Sequence, residues 1–166
     1  MKTIHYLTIC LAAGLLITSC RPDSYAPIGG TNDNITAISG AWKLTKVTQT
    51  DVESQRKGFP YTTEDLTTVF NYTTLQLTFN VSNGAPSTFT INNGSAPPIT
   101  GITSGSWSVD DPKSPKTITL KNGTVTETMT LGGYPNSVNS KLKVKVTRID
   151  AATNKPLIAY DYEFSR

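Results

Sequence analysis

The residue types that most often do enzyme chemistry are few in this sequence, and they lie at its start. The only histidine, His5, and both cysteines, Cys10 and Cys20, fall within the first 20 residues. Residues 6–17 form an apolar run behind Lys2, which is typical of a secretory signal and is too short to span a bilayer. Loss of such a leader removes His5 and Cys10. We therefore expect neither Ser–His–Asp or cysteine nucleophiles nor a zinc site built from His and Cys.

Carboxylates are the remaining side chains with an obvious chemical use. Glu64 and Asp65 are adjacent in the sequence, and only one residue separates Asp161 from Glu163. A glycosidase needs such a pair of carboxylates. Paired acids are common in sequences, and no aromatic-rich sugar cleft accompanies either pair. We therefore expect no enzyme activity and no cofactor.

Metal ions and nucleic acids are also poor candidates as partners. Asp110 and Asp111 offer oxygen ligands for Ca²⁺, but Pro112 follows them, so the stretch is more simply a turn. The formal net charge is only +3, which is too small for the basic face that nucleic-acid binding requires. Hydrophobic residues make up 37% of the chain and charged residues 16%, which is typical of one small folded domain.

The end of the leader carries a motif with a chemical consequence. Ile17-Thr18-Ser19-Cys20 resembles the lipobox of bacterial lipoproteins, which implies cleavage after Ser19 and a diacylglycerol on the Cys20 thiol. The alternative is an ordinary secreted protein that is cut near Cys20. The motif predicts a signal peptide over residues 1–19, a lipidated flexible tether over 20–39 and a folded domain over 40–166. It also predicts a lipid anchor in the cell envelope, at the outer membrane, on a face that the sequence leaves open.

From residue 40 onward the pattern is that of short antiparallel strands. Apolar and polar residues alternate in eight segments, separated by turn signals such as Asn122-Gly123. Lys46 and Val47 interrupt the first segment, so a bulge or a change of facing is expected there. Residues 61–71 have the pattern of one short helix, and a loop over the barrel mouth is the alternative for this stretch. The most regular alternation involves Leu75, Leu77, Phe79 and Val81 in one segment and Ile158, Tyr160, Tyr162 and Phe164 in the last.

This pattern favours one architecture. Neither crossover helices nor internal repeats are visible in the sequence, which argues against a parallel sheet and a repeat protein. Eight antiparallel strands with one apolar face favour an all-β, up-and-down barrel with one short helix, because closure removes exposed sheet edges. A β-sandwich of the same strands is the alternative. In a closed barrel the first and last strands are neighbours, which places Trp42 near Phe164 and Arg166.

Three stretches resemble a known group of proteins. Gly40-Ala41-Trp42 resembles the G-x-W signature of lipocalins, and residues 40–48, 105–112 and 160–164 together resemble the lipocalin-like lipoproteins of unknown function in Bacteroidetes. The resemblance covers residues 39–166 and implies a lipocalin-like barrel without an established activity. It also implies that Trp42 closes the barrel floor under an arginine. Arg166 is the positional match for that arginine, and Arg148 is the second candidate.

The inward-facing aromatic positions indicate where a ligand would bind. Trp107, Tyr160, Tyr162, Phe79 and Leu77 are the candidate lining of a barrel mouth that holds a small apolar or glycan-like ligand. All of these positions also fit ordinary core packing. The second hypothesis is a barrel filled by its own side chains, which binds another envelope protein or inhibits a secreted enzyme. An internal cavity above roughly 300 Å³ would favour the ligand-binding hypothesis.

Two charged features need an explanation. Glu127 shares the apolar face of its strand, where a carboxylate must be paired, protonated or wet. A register shift or a solvent-facing strand is the simpler explanation for it. Lys141, Lys143 and Lys145 form an outward-facing basic stripe, which we interpret as a solvated protective face.

Overall fold

A computed structural model describes residues 33–133 and 140–166. These residues form nine strands, two short α-helices and one 3₁₀ helix. The helices are α1 (Asn34–Ile38), α2 (Val52–Arg56) and the 3₁₀ helix Tyr72–Thr74. The strands are β1 (Gly40–Asp51), β2 (Thr63–Asp65), β3 (Gln76–Ser82), β4 (Ala85–Asn92), β5 (Ser104–Val109), β6 (Thr117–Asn122), β7 (Val125–Leu131), β8 (Lys141–Ile149) and β9 (Pro156–Ser165).

Eight of the strands close into a ring. Strands β1 and β3 to β9 follow one another as antiparallel neighbours, and β9 pairs back onto β1 from Lys43↔Ser165 to Asp51↔Ile158. The predicted up-and-down barrel is therefore confirmed, and the sandwich alternative is not formed. The interruption expected at Lys46 is a bulge, because the register between β1 and β9 shifts between Leu44 and Lys46.

The barrel has two distinct ends. At the floor end lie α1, the start of β1, the end of β9 and the β3–β4, β5–β6 and β7–β8 connections. At the mouth end lie the β1–β3, β4–β5, β6–β7 and β8–β9 connections. The chain therefore enters the barrel at the floor end, and its longest connection, between β1 and β3, is at the mouth end.

The helix predicted over residues 61–71 is not formed. Residues Thr63–Asp65 instead make β2, which lies outside the ring and pairs with Thr48–Thr50 of β1. The Asp65 carboxylate then accepts a hydrogen bond from the Thr67 backbone N–H at 2.9 Å, and the Thr67 hydroxyl accepts one from Val47 N–H at 3.0 Å. This stretch covers an edge of β1 that β3 does not reach, and satisfying that edge outweighs a short local helix signal.

Helix α1 occupies residues that the sequence predicts as the end of the flexible tether. Asp33 caps the helix by accepting from the Thr36 N–H at 3.1 Å, and Ile35 and Ile38 are buried against the barrel. The Asn34 side chain donates to the Lys113 carbonyl oxygen at 2.9 Å. The ordered domain thus begins before Gly40. The predicted signal peptide, Cys20 and residues 20–32 of the tether lie outside the described residues.

Candidate functional site

The floor of the barrel is closed by Trp42. Its indole is 2% exposed, and the indole Nε1 donates a hydrogen bond to the Ile38 carbonyl oxygen at 2.7 Å. The guanidinium carbon of Arg166 lies 4.1 Å from the centroid of the indole, and the same guanidinium donates to the Ala37 carbonyl oxygen. Arg166 and the end of α1 therefore enclose the indole between them, at the position that the resemblance implied. Trp42 has almost no surface left for a ligand.

Three of the predicted lining residues pack against one another above the floor. Leu77 is paired with Trp42 in the sheet, and Phe79 with Gly40. The rings of Phe79 and Trp107 are 4.8 Å apart between centroids, and the Trp107 Nε1 donates to the Asn80 carbonyl oxygen at 2.7 Å. Leu77, Phe79 and Trp107 are at most 3% exposed. They form a packed layer in the floor half of the barrel, away from the mouth.

Packing among the inward-facing side chains leaves no room for a ligand beside them. A side chain next to a water-sized internal cavity would keep some accessible surface, whereas inward-facing residues from seven of the strands are at most 1% exposed. A Cβ added at Gly105 would lie 2.1 Å from the Lys121 carbonyl oxygen and 3.2 Å from Phe89. The residues at most 1% exposed include Leu44, Val47, Leu77, Phe79, Phe89, Ile118, Leu120, Met129, Leu142, Val144 and Phe164.

The other two predicted lining residues lie in the mouth half. In the sheet, Tyr162 is opposite Val47 and Tyr160 is opposite Gln49, both further along β1 than Trp42. The two tyrosine rings are stacked, with centroids 6.1 Å apart. Tyr72 of the 3₁₀ helix, which the sequence did not single out, packs edge-on against Tyr162 at 6.3 Å. The predicted site is thus divided between a closed floor half and an aromatic mouth half.

The tyrosine hydroxyls in the mouth half are poorly satisfied. Tyr72 and Tyr162 are only 5% and 3% exposed, yet within the described part of the chain neither hydroxyl has a hydrogen-bond partner. Both hydroxyl oxygens keep some contact with solvent. Among the described residues, the side-chain atom that is both fully buried and unpaired is Asn93 Oδ1, and neither tyrosine oxygen is in that state. Burial raises the pKa of Tyr162 and of Tyr72, and the neighbouring tyrosines raise each further, Tyr72 and Tyr160 acting on Tyr162 and Tyr160 on Tyr72.

Arg148 is the positively charged residue on the same strand face. On β8 it follows Leu142, Val144 and Val146 at alternate positions, but unlike them it is exposed, and it is paired with Ile158 of β9, two residues before Tyr160. Its charge partly opposes the rise in pKa of both Tyr72 and Tyr162. Among the described residues Arg148 has no ion-pair partner. From the sequence, Arg148 is a candidate only for the arginine over the barrel floor, although its alternation with Val146 already indicates the inner strand face at the mouth end.

Glu127 also faces inward at the mouth. It is paired with the buried Leu120, so its strand keeps the predicted register and faces the core, contrary to the simpler explanation of a shifted or solvent-facing strand. Glu127 Oε1 accepts a hydrogen bond from the Gly101 N–H in the β4–β5 connection at 2.8 Å. A Cβ at Gly101 would lie 2.7 Å from the same oxygen. The carboxylate thus fixes a loop over the mouth and does not line an open cavity.

The rim of the mouth is unusually apolar. Of the eight large apolar side chains exposed among the described residues, seven lie in or beside connections at the mouth end. The eighth, Val81, lies next to the β3–β4 turn at the floor end. We call the seven residues the apolar rim, and they are Phe59, Tyr61, Val69, Phe70, Val125, Ile149 and Leu157.

Three of the four acids in the pairs that the sequence singled out have structural partners. On the outer wall Glu163 pairs with Lys143 at 3.1 Å, and Asp161 pairs with Lys145 at 3.3 Å. Asp65 holds the turn after β2. These contacts give Asp65, Asp161 and Glu163 structural roles, and Glu64 is exposed on β2.

The Asp110-Asp111 stretch is a turn. Asp110 Oδ1 accepts hydrogen bonds from the backbone N–H groups of Lys116 and Thr117, both at 2.9 Å, and these bonds lower the pKa of Asp110, with the bond from Thr117 the largest cause. Asp111 Oδ1 accepts one from the Lys113 N–H at 2.8 Å. No cluster of three potential metal ligands occurs among the described residues. No helix in this part of the chain is long and apolar enough to cross a bilayer.

Together, a closed eight-stranded antiparallel barrel with a structurally closed floor and an aromatic mouth defines the class of this protein as an all-β barrel domain. Within that class, the chain belongs to the family described as a domain of unknown function (DUF5004), which it matches over residues 18–165. No curated protein matches the chain.

Proposed function

We propose that the chain is a lipid-anchored, noncatalytic protein of the cell envelope that binds a partner protein with the mouth end of a filled barrel. The observation that carries the proposal is the apolar rim. Exposed apolar residues scattered over a surface need no explanation, but their concentration at one end is typical of an interaction site.

The packing of the floor half supports a partner protein over an enclosed ligand. A small eight-stranded barrel is either filled by its own side chains or holds one small ligand. Leu77 and Phe79, which were candidates for ligand contact, are 0% and 1% exposed. Binding at the outside of the mouth requires no internal cavity.

The lipid anchor is supported by the Ile17-Thr18-Ser19-Cys20 motif at the end of an apolar leader. The described chain enters the barrel at the floor end, and the apolar rim lies at the mouth end. In a Cys20→Ala variant, metabolic labelling with radioactive palmitate should disappear and the unprocessed precursor should accumulate. Normal labelling of this variant would remove the anchor from the proposal.

Site-specific photocrosslinking in intact cells tests the rim. A benzophenone amino acid at Tyr61, which is 100% exposed, should crosslink to one discrete protein, whereas the same group at Val81 of the floor end should not. Changing Phe59 and Leu157 to Ser should abolish the product formed from position 61. Val81→Ser is the matched control and should leave the product unchanged. Equal crosslinking from both ends, or a product insensitive to the rim changes, would contradict the proposal.

A small ligand held at the mouth is the second candidate. It is favoured by one observation: the rings of Tyr72 and Tyr162 are buried, while their hydroxyls keep contact with solvent and have no hydrogen-bond partner among the described residues. Native mass spectrometry of the purified chain distinguishes this candidate, because a bound small molecule should add a defined mass that Tyr162→Phe reduces. If every preparation shows only the mass of the chain itself, the small-ligand candidate fails and binding of a partner protein remains the proposed function.

A further inference from the structure

We propose that the mouth of the barrel contains a binding site for an anionic oxygen group, a carboxylate or a phosphate, formed by Arg148 and the hydroxyls of Tyr72, Tyr160 and Tyr162. The inference goes beyond the apolar rim, because it concerns polar groups of β8, β9 and the 3₁₀ helix and needs no partner protein. The name anion site is used below for these four residues.

The three tyrosines form one connected group. The rings of Tyr160 and Tyr162 stack at 6.1 Å, and the ring of Tyr72 meets Tyr162 edge-on at 6.3 Å. Two of the rings are more than nine-tenths buried, so their positions are set by packing and not by solvent. The three tyrosine rings therefore form one packed group in the mouth half of the barrel.

These hydroxyls lack partners within the protein. Where solvent reaches a tyrosine hydroxyl, water takes the place of a protein partner, and a ligand oxygen can replace that water. At the floor the corresponding polar groups are satisfied, since the nitrogens of Trp42 and Trp107 both donate to carbonyl oxygens at 2.7 Å. The hydroxyls of Tyr72 and Tyr162 have no such acceptor among the described residues, although solvent still reaches them. They are therefore free to donate to a group that enters from outside.

The charge at the mouth selects an anion. Arg148 presents five N–H donors in a planar fork that matches a carboxylate or a phosphate. No carboxylate forms an ion pair with Arg148 among the described residues, since Asp161 pairs with Lys145 and Glu127 accepts from the Gly101 N–H. Arg56, also at the mouth end, forms an ion pair with Glu53 at 2.9 Å. Arg148 thus differs from Arg56 in having no counter-charge on the described chain.

Titration of the purified full-length chain with sodium acetate and, separately, with sodium phosphate tests the anion site. NMR resonances of the Arg148 side chain and of the three tyrosine rings should shift together and saturate, whereas sodium chloride at the same ionic strength should not move them. The acetate and phosphate arms show which of the two anions is preferred. An absence of saturable shifts with both anions would overturn the proposal.

Two variants make the test specific. Arg148→Gln should weaken anion affinity by about tenfold or more, because it removes the charged donor. Arg56→Gln removes the same charge at the same end of the barrel but leaves the anion site intact, so the affinity should not change. An equal loss of anion affinity in the two variants would show only general attraction of anions to positive charge, which contradicts a specific site at Arg148.

Tyr162→Phe tests the hydroxyls without removing the ring. It should weaken anion binding severalfold while the ring contacts and the folded spectrum are kept. Unchanged affinity in this variant would remove Tyr162 from the anion site. The titration uses no partner protein, so it tests the anion site independently of the crosslinking at the apolar rim. Either proposal can fail while the other one stands.

Discussion

The two ends of the barrel differ in how their polar groups are satisfied. At the floor, the Trp42 indole nitrogen and the Arg166 guanidinium both donate to carbonyl oxygens of α1, and the guanidinium also covers the indole. At the mouth, Tyr72 and Tyr162 lack hydrogen-bond partners, and Arg148 lacks a counter-charge within the described chain. The comparison separates residues that maintain the fold from residues that remain available for binding.

The largest expected effect is at the floor. Trp42→Ala should lower the free energy of unfolding by about 3–5 kcal/mol, because it removes a buried aromatic side chain and leaves a cavity. Chemical denaturation measures this change. Tyr61→Ala at the mouth, where the ring is fully exposed, should change the value by no more than about 0.5 kcal/mol. Similar losses in both variants would contradict the division of roles between the two ends.

The two arginines provide the second comparison. Arg166→Met should cost about 1–2 kcal/mol, since it removes a cation–π contact and a hydrogen bond to α1. Arg148→Met should be close to neutral, because Arg148 has no ion-pair partner to lose. A double-mutant cycle between Arg166 and Trp42 should show coupling between them. If Arg148→Met were the more destabilising change, Arg148 would belong to the fold and not to the anion site.

Glu127 is the satisfied group at the mouth, and it sharpens the comparison. Glu127→Gln keeps the shape of the side chain but weakens the acceptor for the Gly101 N–H, so we expect a loss of about 0.5–1 kcal/mol. Hydrogen exchange should accelerate at Gly101 and its neighbours more than in the strands. Glu64→Gln, at an exposed glutamate of β2, serves as the control and should leave this exchange unchanged. Uniform acceleration throughout the barrel would show that Glu127 does not fix the loop specifically.

The smallest effect at neutral pH is expected for Tyr162→Phe, because the lost hydroxyl has no partner. At alkaline pH the same variant should differ from the parent chain. Burial raises the pKa of Tyr162 above its ordinary value of 10.0, so the unfolded chain loses its proton first. The contribution of Tyr162 to the free energy of unfolding should therefore be fully present below pH 10.0 and should be lost as the pH rises above it.

The alkaline decline should be smaller in Tyr162→Phe, as measured by denaturation at a series of pH values. Tyr61→Phe is the matched control, since its ring is fully exposed and makes no core contact. Identical pH dependence of the unfolding free energy in Tyr162→Phe and Tyr61→Phe would contradict this prediction. It would mean that the Tyr162 hydroxyl is equally hydrated in the folded and the unfolded chain.

The strands could be predicted because period-two alternation depends on one apolar face, and a closed ring follows from eight such strands. The position of Arg166 followed from the same closure. The segment over 61–71 could not be predicted, because its local helix signal competes with a free edge of β1 that exists only in the folded barrel. Helix α1 has just five residues, and burial of Ile35 and Ile38 stabilises it only where the floor is formed.

The mouth was predicted only in part for a related reason. Tyr160 and Tyr162 belong to a regular strand and were identified from their alternation. Tyr72 lies in a short 3₁₀ helix after an irregular connection, so no periodicity indicates that it meets Tyr162. Leu77, Phe79 and Trp107 have the same pattern as ligand-lining residues, since the sequence does not distinguish an inward side chain in a packed layer from one in a cavity.

The pairing of β1 with β9 has a consequence for biosynthesis. Lys43 and Ser165 are partners in the sheet, so the first strand to leave the ribosome obtains its main neighbour only when the last one has been made. Contacts between such distant parts of a chain form slowly. A nascent chain therefore cannot close its barrel until translation has reached β9.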